Sequence, residues 1–132
     1  MRLYTAVIDC RDLHAQAHWW AQVLDWEVVY EDADEAAIAP RSSPTGDIDD
    51  RREFDAAQTG ICFVPVPEPK TVKNRIHLDF APHVTEDWNA IVERFLAAGA
   101  RRADVGQPED ATFAVPADPE DNEFCILSAR RS

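Results

Sequence analysis

The feature that most constrains the fold is an order of predicted elements that occurs twice along the chain. In the first half, an apolar and β-branched stretch over residues 3–10 predicts a strand, and Asp12 is placed to cap a helix over residues 13–24. Further strands are predicted over residues 26–30, 36–39 and 61–66. The polar segment between Pro40 and Gly60 predicts a long loop.

The second half repeats this order. It predicts a strand over residues 75–80, a helix over residues 86–98 with Thr85 as N-cap and Gly99 as its end, and strands over residues 101–105, 112–115 and 123–127. The second copy begins about 72 residues after the first when His77 is matched to Thr5. We therefore predict one α+β domain made of two βαβββ modules, with module one over residues 1–66, a proline-rich linker over 67–73 and module two over 74–132.

Charge and cysteine content narrow the function classes. The chain has 25 Asp and Glu residues against 13 Lys and Arg residues, a formal net charge of −12. Such a charge opposes binding to nucleic acid or to anionic membranes, so neither is an expected partner. The sequence has no long apolar run and no signal-peptide pattern at its start, which predicts a cytoplasmic protein. Cys10, Cys62 and Cys125 are expected to be reduced and buried.

Three segments carry a resemblance to a known family. The first helix leads into VLDWEVV, the second module opens with KNRIHLDF, and the chain closes with DPEDNEFCIL. These segments resemble the vicinal oxygen chelate superfamily, and within it the glyoxalase-like and bleomycin-resistance-like single-domain proteins. The resemblance covers nearly the whole chain apart from residues 40–60. It implies that each module curls its sheet, that the curved sheet encloses a central cleft, and that the protein forms a homodimer.

The resemblance also implies where a metal would be bound. Enzymes of the superfamily hold a divalent ion with four ligands, typically a His on the first strand and a Glu on the last strand of each module. In this sequence the four positions fall on Thr5, Phe63, His77 and Cys125, so that one expected ligand, His77, is retained. We therefore expect no metal site and no cofactor. The alternative is a zinc site formed by His77, Glu123 and Cys125, since Glu123 and Cys125 share a strand face.

Strand alternation predicts which side chains face the cleft. Thr5 and Val7 share one face of their strand, and His77 and Asp79 share a face opposite Ile76, Leu78 and Phe80, which we expect to lie under the second helix. By the geometry of the family, Phe63, Glu123 and Cys125 join this surface, and Phe113 adds a second aromatic ring.

These residues predict a pocket that binds a small, partly aromatic molecule without metal, as in sequestration or resistance. The alternative is an enzyme of the lyase, isomerase or dioxygenase type. It would use either a reduced metal site or His77 and Glu123 as acid and base.

A second pair of histidines lies outside this cleft. His14 and His18 are one helical turn apart, a spacing that can bind a metal on a helix face. They lack a HExxH pattern and lie beside Gln16 and Gln22, which are expected to be exposed. We interpret both histidines as surface residues.

Overall fold

The structure is a computed structural model that describes residues 1–131. The chain divides into two compact units, one from Met1 to Pro69 and one from Lys70 onward. In each unit a strand is followed by a helix and then by further strands, which confirms the predicted α+β class and the order of elements. Within the described residues, none of the helices is long and apolar enough to cross a membrane.

The first unit is built on a mixed sheet. Its strands are β1 (Thr5–Cys10), β2 (Trp26–Glu31), β3 (Ala36–Pro40) and β4 (Gly60–Pro65), in the spatial order β1-β4-β3-β2. Strand β1 pairs with β4 in parallel, and the other pairs are antiparallel. All four strands lie within two residues of their predicted bounds.

Helix α1 (Leu13–Leu24) has the predicted bounds and covers one face of this sheet. The carboxylate of Asp12 accepts a hydrogen bond from the Ala15 N–H at 3.0 Å, which confirms the predicted N-cap. The prediction of an exposed Gln16 was wrong, because this residue is 1% exposed. Gln16 lies three residues after Leu13 and four before Trp20, and this spacing places it on the buried stripe of the helix.

The segment between β3 and β4 is not entirely a loop. It contains the short helix α2 (Arg51–Ala56), whose N-cap Asp50 accepts hydrogen bonds from the N–H groups of Arg52 and Glu53. Its one half-buried side chain is Phe54. A helix of six residues is too short to show an apolar stripe, which is why the sequence pattern missed it.

Gly60, the first residue of β4, lies where that strand meets β3. A Cβ atom at this position would lie 2.8 Å from the carbonyl oxygen of Ile38, which is closer than real Cβ atoms come to backbone. The absence of a side chain at Gly60 therefore allows β3 and β4 to pair at their normal spacing.

The second unit has shorter strands than predicted, and its β7 lies just after the strand predicted over residues 112–115, which the structure does not contain. They are β5 (Asp79–Phe80), β6 (Arg101–Arg102), β7 (Pro116–Ala117) and β8 (Cys125–Ile126); β5 pairs with β8 in parallel and β6 with β7 antiparallel. Backbone hydrogen bonds continue past β5, because Leu127 N–H donates to the Phe80 carbonyl and Arg130 N–H to that of Pro82. Pro82 has no N–H group, so the regular ladder ends there.

Helix α3 (Trp88–Ala97) begins later than predicted. Its N-cap is Asp87, whose carboxylate accepts hydrogen bonds from the N–H groups of Asn89 and Ala90 at 2.9 and 3.3 Å. The predicted cap, Thr85, instead lies with its hydroxyl 2.9 Å from Nδ1 of His83. The prediction that Gly99 ends the helix agrees with its φ of 109°, a conformation that glycine adopts without strain.

The core of the second unit lies between α3 and β8. The side chains of Val92, Phe95, Phe124 and Ile126 are buried there, and the rings of Phe95 and Phe124 have centroids 5.4 Å apart. This packing fixes the positions from which the neighbouring side chains of β5 and β8 line a pocket.

Candidate functional site

A pocket of about 360 Å³ in the second unit brings together most of the predicted site residues. Its lining includes five of them: His77, Asp79, Phe113, Glu123 and Cys125. The pairing of β5 with β8 places Asp79 directly beside Cys125. An apolar wall is completed by Val105, Val115 and Phe124. The pocket therefore combines an aromatic and aliphatic wall with a few polar groups, a composition typical of small-molecule sites.

The other predicted site residues lie in the first unit. Thr5 lies on the face of the sheet that α1 does not cover, where its hydroxyl is 3.2 Å from the Gly60 carbonyl oxygen. Val7 lies on the same face and is 59% exposed. These placements agree with the alternation predicted for the first strand.

The prediction that Phe63 joins Thr5 and Val7 was wrong. Phe63 is fully buried, on the same face of β4 as Ile61. The neighbour of Val7 in the register is Cys62, which precedes Phe63 by one residue. Successive side chains of a strand point to opposite faces. An assignment that is wrong by one residue therefore places a core side chain on the open face.

His77 contacts the segment that precedes it in the chain. Its Nε2 lies 3.0 Å from the backbone carbonyl oxygen of Asn74 and 3.0 Å from Nζ of Lys73. The prediction that Ile76 packs under the helix was also wrong, because Ile76 is 82% exposed. Residues 75–78 lie outside the strands, so the alternation expected there does not apply.

Glu123 holds the segment that leads into β5. Its Oε1 lies 2.9 Å from Nζ of Lys70, and its Oε2 accepts a hydrogen bond of 3.0 Å from the backbone N–H of Asn74. Burial raises the pKa of the Glu123 carboxyl, but the hydrogen bonds from Asn74 and Lys70 outweigh this effect and lower the pKa below its ordinary value. Glu123 is therefore an ionised side chain with both oxygens engaged.

Cys125 is a protonated thiol at neutral pH. Burial, together with a hydrogen bond to the negatively charged carboxylate of Asp79, raises the pKa of Cys125 to about 11. Asp79 is the register neighbour of Cys125 and both residues line the pocket, so the thiol and the carboxylate form a polar spot on its wall. The prediction of three reduced thiols agrees with the three free cysteines, but Cys62 and Cys125 are half-buried and Cys10 is fully buried.

The donors in this pocket do not match what a divalent ion requires. A metal-binding cysteine must lose its proton, which the raised pKa of Cys125 opposes. The oxygens of Glu123 are already engaged, and the ammonium group of Lys73 lies beside His77. Across residues 1–131, no three His, Cys, Asp or Glu side chains are grouped so that they could hold a metal ion.

The sequence did not predict two polar residues that line the pocket, Lys73 and Gln107. Gln107 supports the loop at Gly106, since its side chain accepts from the Val105 N–H and donates to the Ala103 carbonyl. Lys73 lies in the predicted linker and contacts His77 four residues later. That i,i+4 spacing, which commonly marks neighbours on a helix, was the one signal available.

His14 and His18 lie on the surface of α1, as predicted. The carboxylate of Glu31 on β2 lies between them, with Oε1 2.6 Å from Nδ1 of His14 and 3.1 Å from Nε2 of His18. The hydrogen bond from His14, followed by that from His18, lowers the pKa of Glu31 below its ordinary value, although burial acts in the opposite direction.

Comparisons with known proteins agree with this architecture. The model of the family described as "Glyoxalase-like domain" matches residues 5–127. None of the curated proteins matches the sequence significantly.

Several solved structures share the fold at low sequence identity. A glyoxalase/bleomycin resistance protein/dioxygenase family enzyme from Burkholderia phytofirmans is 19% identical, with a TM-score of 0.70 over 98% of this chain and 100% of that one. The fosfomycin resistance protein FosX from Listeria monocytogenes, complexed with Mn(II) and sulfate, is 14% identical, with a TM-score of 0.69 over 98% of this chain and 90% of that one. Because the family match extends over most of its length, the chain belongs to the glyoxalase-like domain family.

Proposed function

We propose that the pocket of the second unit binds a small, partly aromatic molecule without a metal ion, and that the protein sequesters or delivers this molecule. The observation that carries the proposal is the pair of Cys125 and Asp79 on the pocket wall. A protonated thiol beside a carboxylate offers a polar recognition surface, and the raised pKa of the thiol opposes the loss of the proton that metal binding requires. Phe113 and Val115 supply the apolar surface on which a ring can stack.

The polar groups at the pocket favour a ligand with a hydrogen-bond acceptor. Lys73 carries a positive charge and lies exposed beside His77, so an acceptor oxygen or nitrogen on the ligand gains a charge-assisted hydrogen bond there. The apolar wall then determines how the rest of the molecule is held. The polar groups thus orient the ligand, and the buried apolar contacts supply most of its affinity.

A screen of one-ring and two-ring aromatic compounds by ligand-observed NMR tests the proposal. We expect binders whose affinity falls about tenfold in Phe113→Ala, because that variant removes the ring contact. His83→Ala is the matched control, since His83 is an exposed histidine of the same unit outside the pocket lining. Absence of any binder, or equal loss in Phe113→Ala and His83→Ala, contradicts the proposal.

Proteins of similar fold give a reason to test the enzyme alternative in the same samples. FosX from Listeria monocytogenes was solved in complex with Mn(II), and another protein of similar fold, ChaP-H2, is described as an oxidase. Wild-type protein and His77→Ala are therefore titrated with Mn²⁺, Ni²⁺ and Zn²⁺, and thermal denaturation is measured at each metal concentration. Stoichiometric binding that raises the melting temperature of the wild type alone would overturn the metal-free proposal.

Homodimer formation, which the resemblance implies, stays a prediction. Light scattering coupled to size-exclusion chromatography measures it directly. A mass of about twice 14.8 kDa is expected.

A further inference from the structure

The second unit has another pocket, the basic pocket, which measures about 360 Å³. Its charged lining residues are Lys70, Lys73, Arg101, Arg102, Asp121 and Glu123, all of which belong to the second unit. Lys73 and Glu123 also line the pocket of the proposed function. The apolar wall of that pocket, with Phe113 and Phe124, is not part of the basic pocket, so the two cavities differ in what they can hold.

The basic pocket concentrates positive charge in an acidic protein. The chain has 13 Lys and Arg residues against 25 Asp and Glu residues, yet four of the 13, including both lysines, line this one cavity. Four basic side chains against two acidic ones leave the lining with a positive formal charge, whereas the whole chain carries −12. A concave surface lined by one sign of charge attracts ions of the opposite sign.

Two of the four cations already have carboxylate partners. Lys70 forms the largely buried ion pair with Glu123, which fixes one wall of the pocket. Arg101 forms an ion pair with Asp121, and both of these side chains are more than half exposed. An exposed ion pair contributes little to stability, so Arg101 can exchange Asp121 for an anionic ligand at low cost.

The other two cations are not compensated in this way. Lys73 is exposed, and its ammonium group lies 3.0 Å from Nε2 of His77, a ring that carries no negative charge. A terminal nitrogen of Arg102 lies 3.9 Å from Oε1 of Glu93, with both side chains largely exposed. Such a pair is weak, so Lys73 and Arg102 both retain donors for an anion.

This set of donors favours a phosphoryl group. Two guanidinium groups and an ammonium group offer several charged donors, and Thr71 adds an exposed hydroxyl to the lining. A phosphoryl group carries nearly two negative charges at neutral pH and three acceptor oxygens, whereas a carboxylate carries one charge on two oxygens. The strongly acidic remainder of the chain opposes a long polyanion such as nucleic acid, which favours a small ligand.

We propose that the basic pocket binds a phosphoryl group, either free phosphate or the phosphate of a small monoester. Lys73 and Arg102 donate to its oxygens, and Arg101 turns from Asp121 to the ligand. The ion pair of Lys70 with Glu123 keeps the wall in place. The site does not depend on the proposed function, because binding of the phosphoryl group requires no aromatic wall.

Titration with inorganic phosphate at pH 7 and constant ionic strength, followed by the NMR chemical shifts of backbone amides, tests the proposal. We expect saturable shifts in residues 70–73 and 101–103, with a dissociation constant at least about tenfold lower than for acetate. Phenyl phosphate distinguishes the two sources of the group. Tighter binding than inorganic phosphate assigns the site to a phosphate ester, and equal or weaker binding assigns it to free phosphate.

Three substitutions of exposed side chains give effects of opposite sign. Arg102→Gln and Lys73→Gln are each expected to weaken phosphate binding about threefold to tenfold, because each removes a charged donor. Asp121→Asn is expected to strengthen binding about threefold, because it frees Arg101 and removes a repelling charge. Asparagine tolerates the left-handed backbone of Asp121, whose φ is 71°, so this variant keeps the turn.

Matched controls lie in the same unit outside the lining. Arg94→Gln changes an exposed arginine of α3, and Asp110→Asn changes an exposed carboxylate. Both are expected to bind phosphate within about twofold of the wild type. Phe113→Ala should also bind phosphate normally, which separates failure of this site from failure of the proposed function.

Absence of saturable phosphate binding overturns the proposal. The same holds if Arg102→Gln and Lys73→Gln weaken binding no more than Arg94→Gln, or if Asp121→Asn binds phosphate less tightly than the wild type. Weaker phosphate binding in Phe113→Ala would place the anion in the other pocket and would likewise contradict the assignment.

Discussion

The ammonium group of Lys70 lies 2.9 Å from Oε1 of Glu123, and both side chains are largely buried, with exposed fractions of 17% and 14%. This ion pair joins the segment before β5 to the residue two positions before β8. The same carboxylate accepts the backbone N–H of Asn74, so Glu123 fixes the segment at two points. A residue predicted as a catalytic acid or base thus has a structural role.

Replacement of Glu123 by glutamine is expected to destabilise the protein. Lys70 would keep its charge in a mostly buried position without its anionic partner, and we expect a loss of about 1–3 kcal/mol in the free energy of unfolding at pH 7. Urea denaturation of the variant measures this loss. Glu109→Gln, which changes an exposed carboxylate of the same unit, is the control. An effect no larger than that of the control would contradict the prediction.

The contribution of Glu123 to stability should depend on pH. Burial opposes the ionised form, but the hydrogen bonds from Asn74 and Lys70 leave the pKa of Glu123 in the folded state below its ordinary value of 4.5. Such a group stabilises the fold above the pKa of the unfolded state and loses this contribution as the pH falls through the folded-state pKa. The difference between wild type and Glu123→Gln is therefore expected to shrink between pH 7 and about pH 3.

The thiol of Cys125 is expected to react slowly. With its pKa raised to about 11 by burial and by Asp79, the thiolate fraction at pH 8 is small, and we expect reaction with Ellman's reagent about a hundredfold slower than for a free thiol. The measurement uses the double variant Cys10→Ala, Cys62→Ala, so that Cys125 is the thiol observed. Asp79→Asn in that background should accelerate the reaction, and Asp110→Asn should not.

The same raised pKa predicts loss of stability in alkali. The pKa of Cys125 lies above its ordinary value of 9.0, so the protonated thiol stabilises the fold below about pH 9. This contribution is lost as the pH rises through the folded-state pKa. A variant with serine in place of Cys125 should lack this part of the alkaline transition in a thermal denaturation series.

The N-cap of α3 provides a test of the structure against the sequence pattern. Asp87→Ala removes the acceptor for two N–H groups and is expected to cost about 1 kcal/mol of stability. Thr85→Ala removes the residue that the sequence predicted as the cap and should cost less than about 0.5 kcal/mol. Chemical denaturation of both variants decides between the two residues.

The placement of Phe63 has a similar test. Truncation of this fully buried ring is expected to cost about 3–5 kcal/mol, as for other large side chains in protein cores. Cys62→Ala removes a smaller side chain on the open face and should cost far less. If Phe63 lay on the open face as the sequence predicted, the two substitutions would have similar effects.

The sequence predicted the first unit well because its signals are strong there. The apolar stripe of α1 extends over three turns and follows a capping aspartate, and the strands of the sheet are five or six residues long. Strands β5 and β8 are two residues long, and the hydrogen bonds that extend them involve distant residues. The periodicity of a sequence depends on residues that are close together in the chain, so it does not reveal pairing between distant residues.

The candidate sites show the same limit. The alternation of β1 placed Thr5 and Val7 correctly, but the position that the resemblance implied on β4 fell on Phe63, whereas Cys62 lies on the open face. His77 was found, yet its contact with Lys73 depends on a segment without regular structure.

The contact that a side chain at Gly60 would make with Ile38 restricts which residues the first sheet can accept at the start of β4. Alanine there would force apart two hydrogen-bonded strands, so glycine is expected at this position in any protein that keeps the same register. Replacements and insertions are then expected in the segment between β3 and β4 over residues 41–59, since loop segments generally accept them more readily than paired strands. Related proteins that keep this register should therefore differ most in that segment.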